Sequence, residues 1–263
     1  MTRHPRIGIF DSGLGGLSVL RYAPTRMKDA SYLYVADTAY APYGDQPAEK
    51  VRERSLNIAL FLQQQKIDAL LIACNTATAL AVELIRAHSV VPVVAMEPAI
   101  KPAMAQSARR CVAVLATEAT LNSERYQRLK NQHARDGQIV ERACHHWVEA
   151  LEQGRLNERE LDKLVANELL DLQKEGADTY ILACTHFPFL REHIARVLNN
   201  DEQIIDPGPA VIEQLLRVLG IEAADLPMSA PRAELFSSGD PARVAQRVGQ
   251  LTGWSTRVRM LGF

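Results

Sequence analysis

Short apolar runs alternate with amphipathic segments along most of the chain. The runs predict buried strands at 6–10, 31–36, 69–73, 91–96, 111–116, 139–143 and 179–183, and residues 201–206 lead into one more. Spacing typical of helices predicts helices at 48–65, 77–88, 122–135 and 158–174. Continuous apolar strands separated by helices indicate parallel sheets that are covered on both faces. The pattern therefore predicts the α/β class.

Two segments repeat in the same order in each half of the chain. "IDALLIACNT" (67–76) aligns with "ADTYILACTH" (177–186), and "IGIFDSG" (7–13) aligns with "VAVLATE" (112–118). A chance match of short strands is the alternative, but both pairs keep their order and nearly the same spacing. A turn signal and a new helix at 206–216 suggest that the tail returns to the first half. We expect a discontinuous first domain, 1–97 with 208–263, and a second domain, 98–207.

Composition and charge narrow the function. Of the 263 residues, 47% are hydrophobic and 23% are charged, which is ordinary for a globular protein. A formal net charge of -1 without blocks of like charge gives no reason to expect binding to nucleic acid or to anionic lipid. The apolar run near the start is too short for a signal peptide or a membrane span. We expect a cytoplasmic protein without disulfides.

The four cysteines are widely spaced, and no CxxC pair occurs. Zinc ligands are normally closely paired, and the adjacent residues of "CHH" at 144–146 do not converge easily on one ion, so we expect no metal. The ordinary interpretation of a lone cysteine is a small buried hydrophobe. That interpretation stands for Cys111 and Cys144, which lie outside the repeat.

Polar clusters follow three predicted strands, at 11–13, 74–76 and 184–186. Ligands of parallel sheets bind beyond the carboxyl ends of the strands. Cys74 and Cys184 also stand where helices are expected to begin. A helix N-terminus favours a thiolate and offers free N–H groups to a carboxylate. If the two halves face each other, two thiolates and several anion donors would meet.

Three reactions could use such a pair of thiols. A redox pair needs sulfurs close enough to bond. A Cys–His hydrolase could use His186 beside Cys184, but that chemistry needs one nucleophile and no matched partner. In two-base proton transfer, one thiolate removes a proton from a stereocentre and the other thiol protonates the opposite face. Pseudo-symmetric halves suit this third reaction.

The motifs "IGIFDSGLGGLSVL", "APYGD", "ACNTATA", "PAIKPA" and "LACTHFPFL" closely resemble the bacterial glutamate racemase family, from residue 7 to about 207. The resemblance implies two pseudo-symmetric α/β domains with the active site between them. It implies interconversion of L- and D-glutamate for peptidoglycan synthesis without any cofactor. It also makes a homodimer the expected assembly.

The resemblance assigns roles by position. Cys74 resembles the base for D-glutamate, assisted by Asp11, and Cys184 the base for L-glutamate, assisted by His186. Glu152 matches an auxiliary acidic residue, although a solvated helix charge is an equally good interpretation. The implied substrate-binding residues lie at strand ends or in turns, and Thr117 joins them because the repeat aligns it with Ser12: Asp11, Ser12, Tyr43, Gly44, Asn75, Thr76, Thr117, Thr185 and His186. Several of the polar residues could instead cap helices, and His186 could be a buried core histidine.

The sequence departs from the family pattern at three places. Tyr40 and Ala41 stand where arginine and valine are more usual, Glu97 stands where a less polar residue is usual, and "CHHW" lacks a proline after the cysteine. None of these changes touches the paired cysteines.

Two alternatives to a glutamate racemase stay open. Aspartate racemases also pair cysteines across two α/β halves, although "CTH" rather than a "CTE"-like ending favours glutamate. A non-catalytic regulatory protein that binds an amino acid is the other, and the retained pair of cysteines argues against it.

Overall fold

A computed structural model describes residues 4–134, 137–155 and 157–263. The predicted end of one helix at Arg135 lies outside these residues, as do positions 1–3, 136 and 156 of the predicted domains. The chain divides into two compact units, the first formed by residues up to Met96 together with Gly208–Phe263, and the second by Glu97–Pro207. Each unit is described in turn.

The first unit begins with alternating strands and helices. Its elements up to Met96 are β1 (Arg6–Asp11), α1 (Leu17–Leu20), α2 (Ala23–Arg26), β2 (Ser31–Ala36), α3 (Ala48–Gln64), β3 (Ala69–Ile72), α4 (Asn75–His88) and β4 (Val93–Ala95). Two 3₁₀ helices, Thr38–Tyr40 and Tyr43–Asp45, connect β2 to α3.

The second unit follows the same alternation. Its elements are α5 (Ile100–Gln106), β5 (Cys111–Ala116), α6 (Glu118–Leu121), α7 (Glu124–His133), β6 (Gln138–Ala143), α8 (His145–Gln153), α9 (Glu158–Lys174), β7 (Thr179–Leu182), α10 (Arg191–Val197) and β8 (Gln203–Ile205). A 3₁₀ helix, Phe187–Leu190, precedes α10.

The chain then completes the first unit. It adds α11 (Gly208–Leu219), β9 (Ala233–Ser237), α12 (Pro241–Thr252) and β10 (Val258–Met260). The sequence pattern did not predict β9, α12 or β10. β9 and β10 are short, and exposed polar residues interrupt their apolar positions, so neither produces the continuous apolar run of a buried strand.

Each unit contains one parallel sheet. The strand order is β10-β9-β2-β1-β3-β4 in the first unit and β6-β5-β7-β8 in the second. The predicted α/β class is confirmed. Both sheets place the first strand of the repeat between the second and the third, so β1 corresponds to β5 and β3 to β7. Their hydrophobic strands are covered by helices because both faces carry apolar side chains.

The core of the first unit lies between the sheet and two long helices. α3 buries Val51, Ile58 and Leu62 against the strands, and α4 buries Ala81 and Ile85. Each fully buried aliphatic side chain of this kind contributes about 1.5–3 kcal/mol relative to exposure. This packing fixes α3 and α4 on one face of the sheet and thereby fixes the residues at their N-terminal ends.

The core of the second unit also lies between its sheet and helices. Val112 and Val114 of β5 and Ile181 of β7 pack with Met104 of α5 and Tyr126 of α7. Within the described ranges, neither unit contains a helix that is both long and apolar enough to cross a membrane.

A glycine before α1 sets a close approach of three elements. A Cβ on Gly16 would lie 2.8 Å from Tyr34 Oη, 2.9 Å from Asp11 Cβ and 3.0 Å from Ala73 Cβ. We expect Gly16→Ala to lower the free energy of unfolding by about 1–3 kcal/mol, because three packed elements must move apart. Urea denaturation measures the change.

The matched control is Gly249→Ala in α12. There the nearest atom to an added Cβ is Trp254 O at 3.6 Å, so alanine fits. We expect it to raise the free energy of unfolding by up to about 1 kcal/mol through helix propensity. Equal urea midpoints for the two variants would show that the approach around Gly16 is not tight.

Candidate active site

The first candidate thiol lies at the edge where β1 and β3 end. These strands are parallel neighbours, with Phe10 paired with Ile72, so the residues that follow them lie side by side. Cys74 Sγ is 3.6 Å from Ser12 Oγ. The carboxylate of Asp11 is fully buried and its Oδ1 accepts a 2.9 Å hydrogen bond from Gly13 N. The structure thus brings Asp11, Ser12 and Cys74 together.

Cys74 also caps a helix. It occupies the N-cap position of α4, and its Sγ accepts a 3.4 Å hydrogen bond from Ala77 N. The helix begins at Asn75, two residues before the predicted start. The helix dipole and this N–H donor both stabilise negative charge on the sulfur. The separate expectation that Cys74 stands where a helix begins agrees with its N-cap position.

Asn75 carries an unsatisfied amide in the interior. The residue is only 5% exposed, and among the described residues neither its Oδ1 nor its Nδ2 has a hydrogen-bond partner. Leaving a buried polar group unpaired costs about 1–3 kcal/mol, so such groups call for a specific explanation. A polar ligand that binds at the start of α4 would supply the missing partners. Thr76, the next residue, is also buried.

Tyr43 and Gly44 lie in a short 3₁₀ helix, Tyr43–Asp45, that packs against α4. The Tyr43 hydroxyl donates a 2.6 Å hydrogen bond to Asp37 Oδ2. Burial, followed by the negative charge of Asp37, raises the pKa of Tyr43 far above its ordinary value. The hydroxyl therefore stays protonated and acts as a donor throughout the physiological range.

The second candidate thiol has a different backbone setting. Cys184 follows β7 in the second unit, but the prediction that a helix begins there is wrong. A turn comes first, and a 3₁₀ helix starts three residues later at Phe187, whose N–H donates to Cys184 O at 3.1 Å. Pro188 is the second residue of this 3₁₀ helix, an early helical position that tolerates proline, and the α-helix α10 begins only at Arg191.

A histidine and a carboxylate form a line behind Cys184. Cys184 Sγ is 3.8 Å from His186 Nδ1, and His186 Nε2 is 2.6 Å from Glu152 Oε1 at the end of α8. Burial alone would lower the pKa of His186, but the hydrogen bonds to Cys184 and Glu152 outweigh it and hold the pKa well above the ordinary value. The raised pKa favours the protonated ring, and its positive charge lies beside the Cys184 sulfur.

The remaining predicted residues of the second unit are two threonines. Thr185 is 2% exposed and follows Cys184 directly. Thr117 follows β5 as Ser12 follows β1, and it caps α6 by accepting a 3.3 Å hydrogen bond from Thr120 N. The sequence suggested such a capping role as an alternative for Ser12, Thr76 and Thr185, and the structure shows it for Thr117.

The other two cysteines have the environments of structural residues. None of the four cysteines forms a disulfide. Burial raises the pKa of Cys111 and, more strongly, that of Cys144, so both remain thiols at neutral pH. In the described part of the chain, no three His, Cys, Asp or Glu side chains cluster as metal ligands would.

A charged pair that the sequence did not predict lies close to Asp11 and Tyr43. Asp37 is fully buried beyond β2, and Arg54 of α3 binds both of its carboxylate oxygens. The available signal was that Asp37 follows an apolar strand directly, as Asp11 does. No sequence signal linked it to Arg54, because their contact depends on how α3 packs on the sheet.

Comparison with known proteins gives one consistent result. Residues 18–215 match the family described as Asp/Glu/Hydantoin racemase. A glutamate racemase of Methylococcus capsulatus is 43% identical over 94% of this chain and 90% of its own length. A crystal structure of a glutamate racemase isoform from Bacillus anthracis aligns with a TM-score of 0.84 at 27% identity, covering 99% of this chain and 98% of that one.

A second solved structure was determined with ligands. Escherichia coli glutamate racemase, in complex with L-glutamate and the activator UDP-MurNAc-Ala, aligns with a TM-score of 0.81 at 27% identity. The alignment covers 99% of both chains. These similarities extend over both units of the chain.

The contacts of His186 with Cys184 and Glu152 predict how the pKa of His186 depends on Glu152. We expect Glu152→Gln to lower the pKa of His186, because the variant removes a negative partner of the imidazolium. In the wild type, the contribution of protonated His186 to the free energy of unfolding should be complete below about pH 6.5. It should be lost as the pH rises through the raised pKa of the folded state. NMR titration of labelled histidine measures the pKa, and urea denaturation at several pH values measures the stabilisation.

The matched control is Glu149→Gln on the same helix, where the carboxylate is exposed and bonds to Gln153. It should leave the His186 titration unchanged. The signal itself is identified by its absence from His186→Gln. A His186 titration in Glu152→Gln that coincides with the wild type would contradict the assigned role of the carboxylate.

Proposed function

The chain belongs to the Asp/Glu/Hydantoin racemase family, and on that premise we propose that it interconverts L-glutamate and D-glutamate by proton transfer at the α-carbon. Relatives that are 40–45% identical over most of the chain are glutamate racemases, which supports glutamate over aspartate. The proposed role is supply of D-glutamate for peptidoglycan synthesis.

One observation carries the mechanism: the two thiols occupy equivalent positions in equivalent sheets. Cys74 follows β3 and Cys184 follows β7, and each of these strands is the third of its repeat in the order 2-1-3-4. A reaction that inverts a stereocentre needs one base for each face of the carbanion. We propose that the two units are the two expected domains and that each supplies one base.

In the proposed mechanism, Cys184 as thiolate removes the α-proton of L-glutamate. The Cys74 thiol then protonates the opposite face of the carbanion and gives D-glutamate. The reverse reaction exchanges the two roles. One proton enters and one leaves the α-carbon in each turnover, so no redox change occurs.

The proposed assisting groups differ between the two bases. His186, protonated and held by Glu152, would stabilise the thiolate of Cys184. Asp11 and Ser12 would assist Cys74. The two enantiomers of the substrate present the same charged groups in different spatial arrangements, and different assisting groups at the two bases suit this difference.

The proposed substrate-binding groups are mostly uncharged donors. Asn75, Thr76 and Thr185 are buried hydroxyl and amide groups at strand ends, and we propose that they bind the carboxylates and amine of glutamate. Preorganised donors in a buried site stabilise the negative charge that develops in the transition state. Thr117 is the weakest member of the proposed set because its hydroxyl already caps α6. The expected homodimer and the expected cytoplasmic location stay predictions.

The two-base mechanism predicts loss of racemisation from either thiol. We expect Cys74→Ser and Cys184→Ser each to lower kcat/KM by about 10²- to 10⁴-fold, the range for one general acid or base. In deuterated water, the wild type should exchange the α-hydrogen of either enantiomer. Polarimetry and NMR follow the two processes.

Cys111→Ser is the control, because this buried thiol has no proposed role. With an analogue that carries a β-leaving group, Cys184→Ser should eliminate from the D form only, and Cys74→Ser from the L form only. Racemisation that survives in both single variants would rule out the proposal. Calorimetric binding of glutamate by a wild-type protein that does not turn it over would favour a regulatory binding protein.

The unsatisfied amide of Asn75 predicts opposite effects on stability and binding. We expect Asn75→Ala to raise KM for both enantiomers about 10-fold or more, since a bound substrate loses hydrogen bonds to a buried group. The same change should not lower the free energy of unfolding of the substrate-free protein. Steady-state kinetics and urea denaturation measure the two quantities.

Ser55→Ala in α3 is the matched control. Ser55 is fully buried, and its hydroxyl lacks a hydrogen-bond partner in the described residues, but it is not among the proposed substrate contacts. It should behave like Asn75→Ala in the unfolding experiment and leave KM unchanged. A KM for Asn75→Ala equal to that of the wild type would remove Asn75 from the proposed binding set.

A further inference from the structure

A buried carboxylate lies beside the candidate site without being one of its predicted residues. Asp37 follows β2 and is fully buried, and its backbone N–H donates a 3.1 Å hydrogen bond to the carbonyl oxygen of Asp11. Asp37 therefore stands at the sheet edge that carries Asp11 and Ser12. We call Asp37, Tyr40, Tyr43 and Arg54 the Asp37 cluster.

Both oxygens of this carboxylate are held. Arg54 donates from Nε to Oδ2 at 3.0 Å and from Nη2 to Oδ1 at 2.7 Å. The Tyr43 hydroxyl donates to Oδ2 at 2.6 Å. A bidentate guanidinium fixes the plane of a carboxylate. The carboxylate in turn fixes the hydroxyl of Tyr43.

Aromatic rings cover the arginine. The guanidinium carbon of Arg54 lies 4.2 Å from the centre of the Tyr40 ring and 5.3 Å from that of Phe263. Tyr40 stands where the resembling family more often has arginine, so this stacking belongs to the particular sequence of this chain. The rings hold Arg54 in one orientation and limit its contact with water.

A buried ion pair is weak evidence for stability, because desolvation offsets much of the attraction. The geometry of the Asp37 cluster has a more specific consequence. It ties α3, through Arg54, to the 3₁₀ helix that carries Tyr43 and Gly44. The position of these two residues therefore depends on the ion pair of Asp37 with Arg54. Both residues are predicted to bind the substrate.

The same short helix lies next to the first candidate base. Tyr43 and Cys74 belong to one buried cluster, and α4 packs against the 3₁₀ helix, Tyr43–Asp45. A shift of Tyr43 would therefore also change the space beside the Cys74 sulfur.

We propose that Asp37 and Arg54 are positioning residues that hold Tyr43 and Gly44 in the arrangement that binds glutamate. This proposal rests on the proposed function. The two residues act through Tyr43 and do not touch the substrate themselves. Their loss weakens binding of both enantiomers, because the fixed helix would serve the groups that the two enantiomers share.

The test compares Asp37→Asn and Tyr43→Phe with the wild type in steady-state racemisation of both enantiomers. Asp37→Asn keeps the shape of the side chain and removes its charge, and Tyr43→Phe removes the hydroxyl together with its bond to Asp37. We expect each variant to raise KM about 10-fold in both directions, as loss of one hydrogen bond to a charged group does, with kcat within about twofold. The thermal unfolding midpoint is measured in parallel.

Arg26→Gln is the matched control, because Arg26 forms a 2.6 Å ion pair with Glu213 in the same unit and lies outside the Asp37 cluster. It should leave KM unchanged whatever its effect on the unfolding midpoint. Unchanged KM in both test variants, or a fall in kcat alone, would overturn the proposal. If Asp37→Asn does not fold, Tyr43→Phe decides, since it leaves the pair with Arg54 intact. A wild type without racemase activity would contradict the proposed function instead.

Discussion

Parallel pairing of the strands is the constraint on which the candidate site depends. It directs the carboxyl ends of all strands in a sheet to one edge, where the chain leaves the apolar core and polar residues become acceptable. Asp11 ends β1, and Asp37 and Cys74 follow β2 and β3, so all three lie at the carboxyl ends of neighbouring strands of the first sheet. In the second sheet, Thr117 and Cys184 follow the corresponding strands. The chemistry is therefore concentrated by topology before any individual contact is considered.

The two thiols have equivalent positions but different means of stabilising charge. Cys74 accepts a hydrogen bond from a backbone N–H and lies at the positive end of the α4 dipole, and both groups are fixed and uncharged. Cys184 lacks such a helix and instead faces an imidazolium that Glu152 holds in place. A helix dipole stabilises negative charge at all pH values, whereas the ring of His186 does so only while it is protonated. The repeat has thus preserved position while the electrostatics of the two halves have diverged.

The buried polar groups of the first unit divide into two kinds. The carboxylate of Asp37 has all its strong partners within the protein, so the groups it holds are preorganised before any ligand arrives. The amide of Asn75 has no hydrogen-bond partner among the residues that the structure describes, and in the proposed site its desolvation would be compensated when the substrate binds. The first kind fixes geometry and the second contributes binding free energy. The proposed mechanism calls for both kinds, because preorganised groups must stabilise the charge that develops at the α-carbon.

The sequence by itself determined the α/β class, most strand positions and the equivalent positions of Cys74 and Cys184 after the third strand of each repeat, because these follow from local apolar patterns and an internal repeat. It could not determine the helix start after Cys184, where a turn and a 3₁₀ helix precede α10, nor the strands β9 and β10, which lack a continuous apolar run. The contact of Arg54 with Asp37 also required the tertiary structure. Side chains on separate elements meet only through packing, and no local pattern records that geometry.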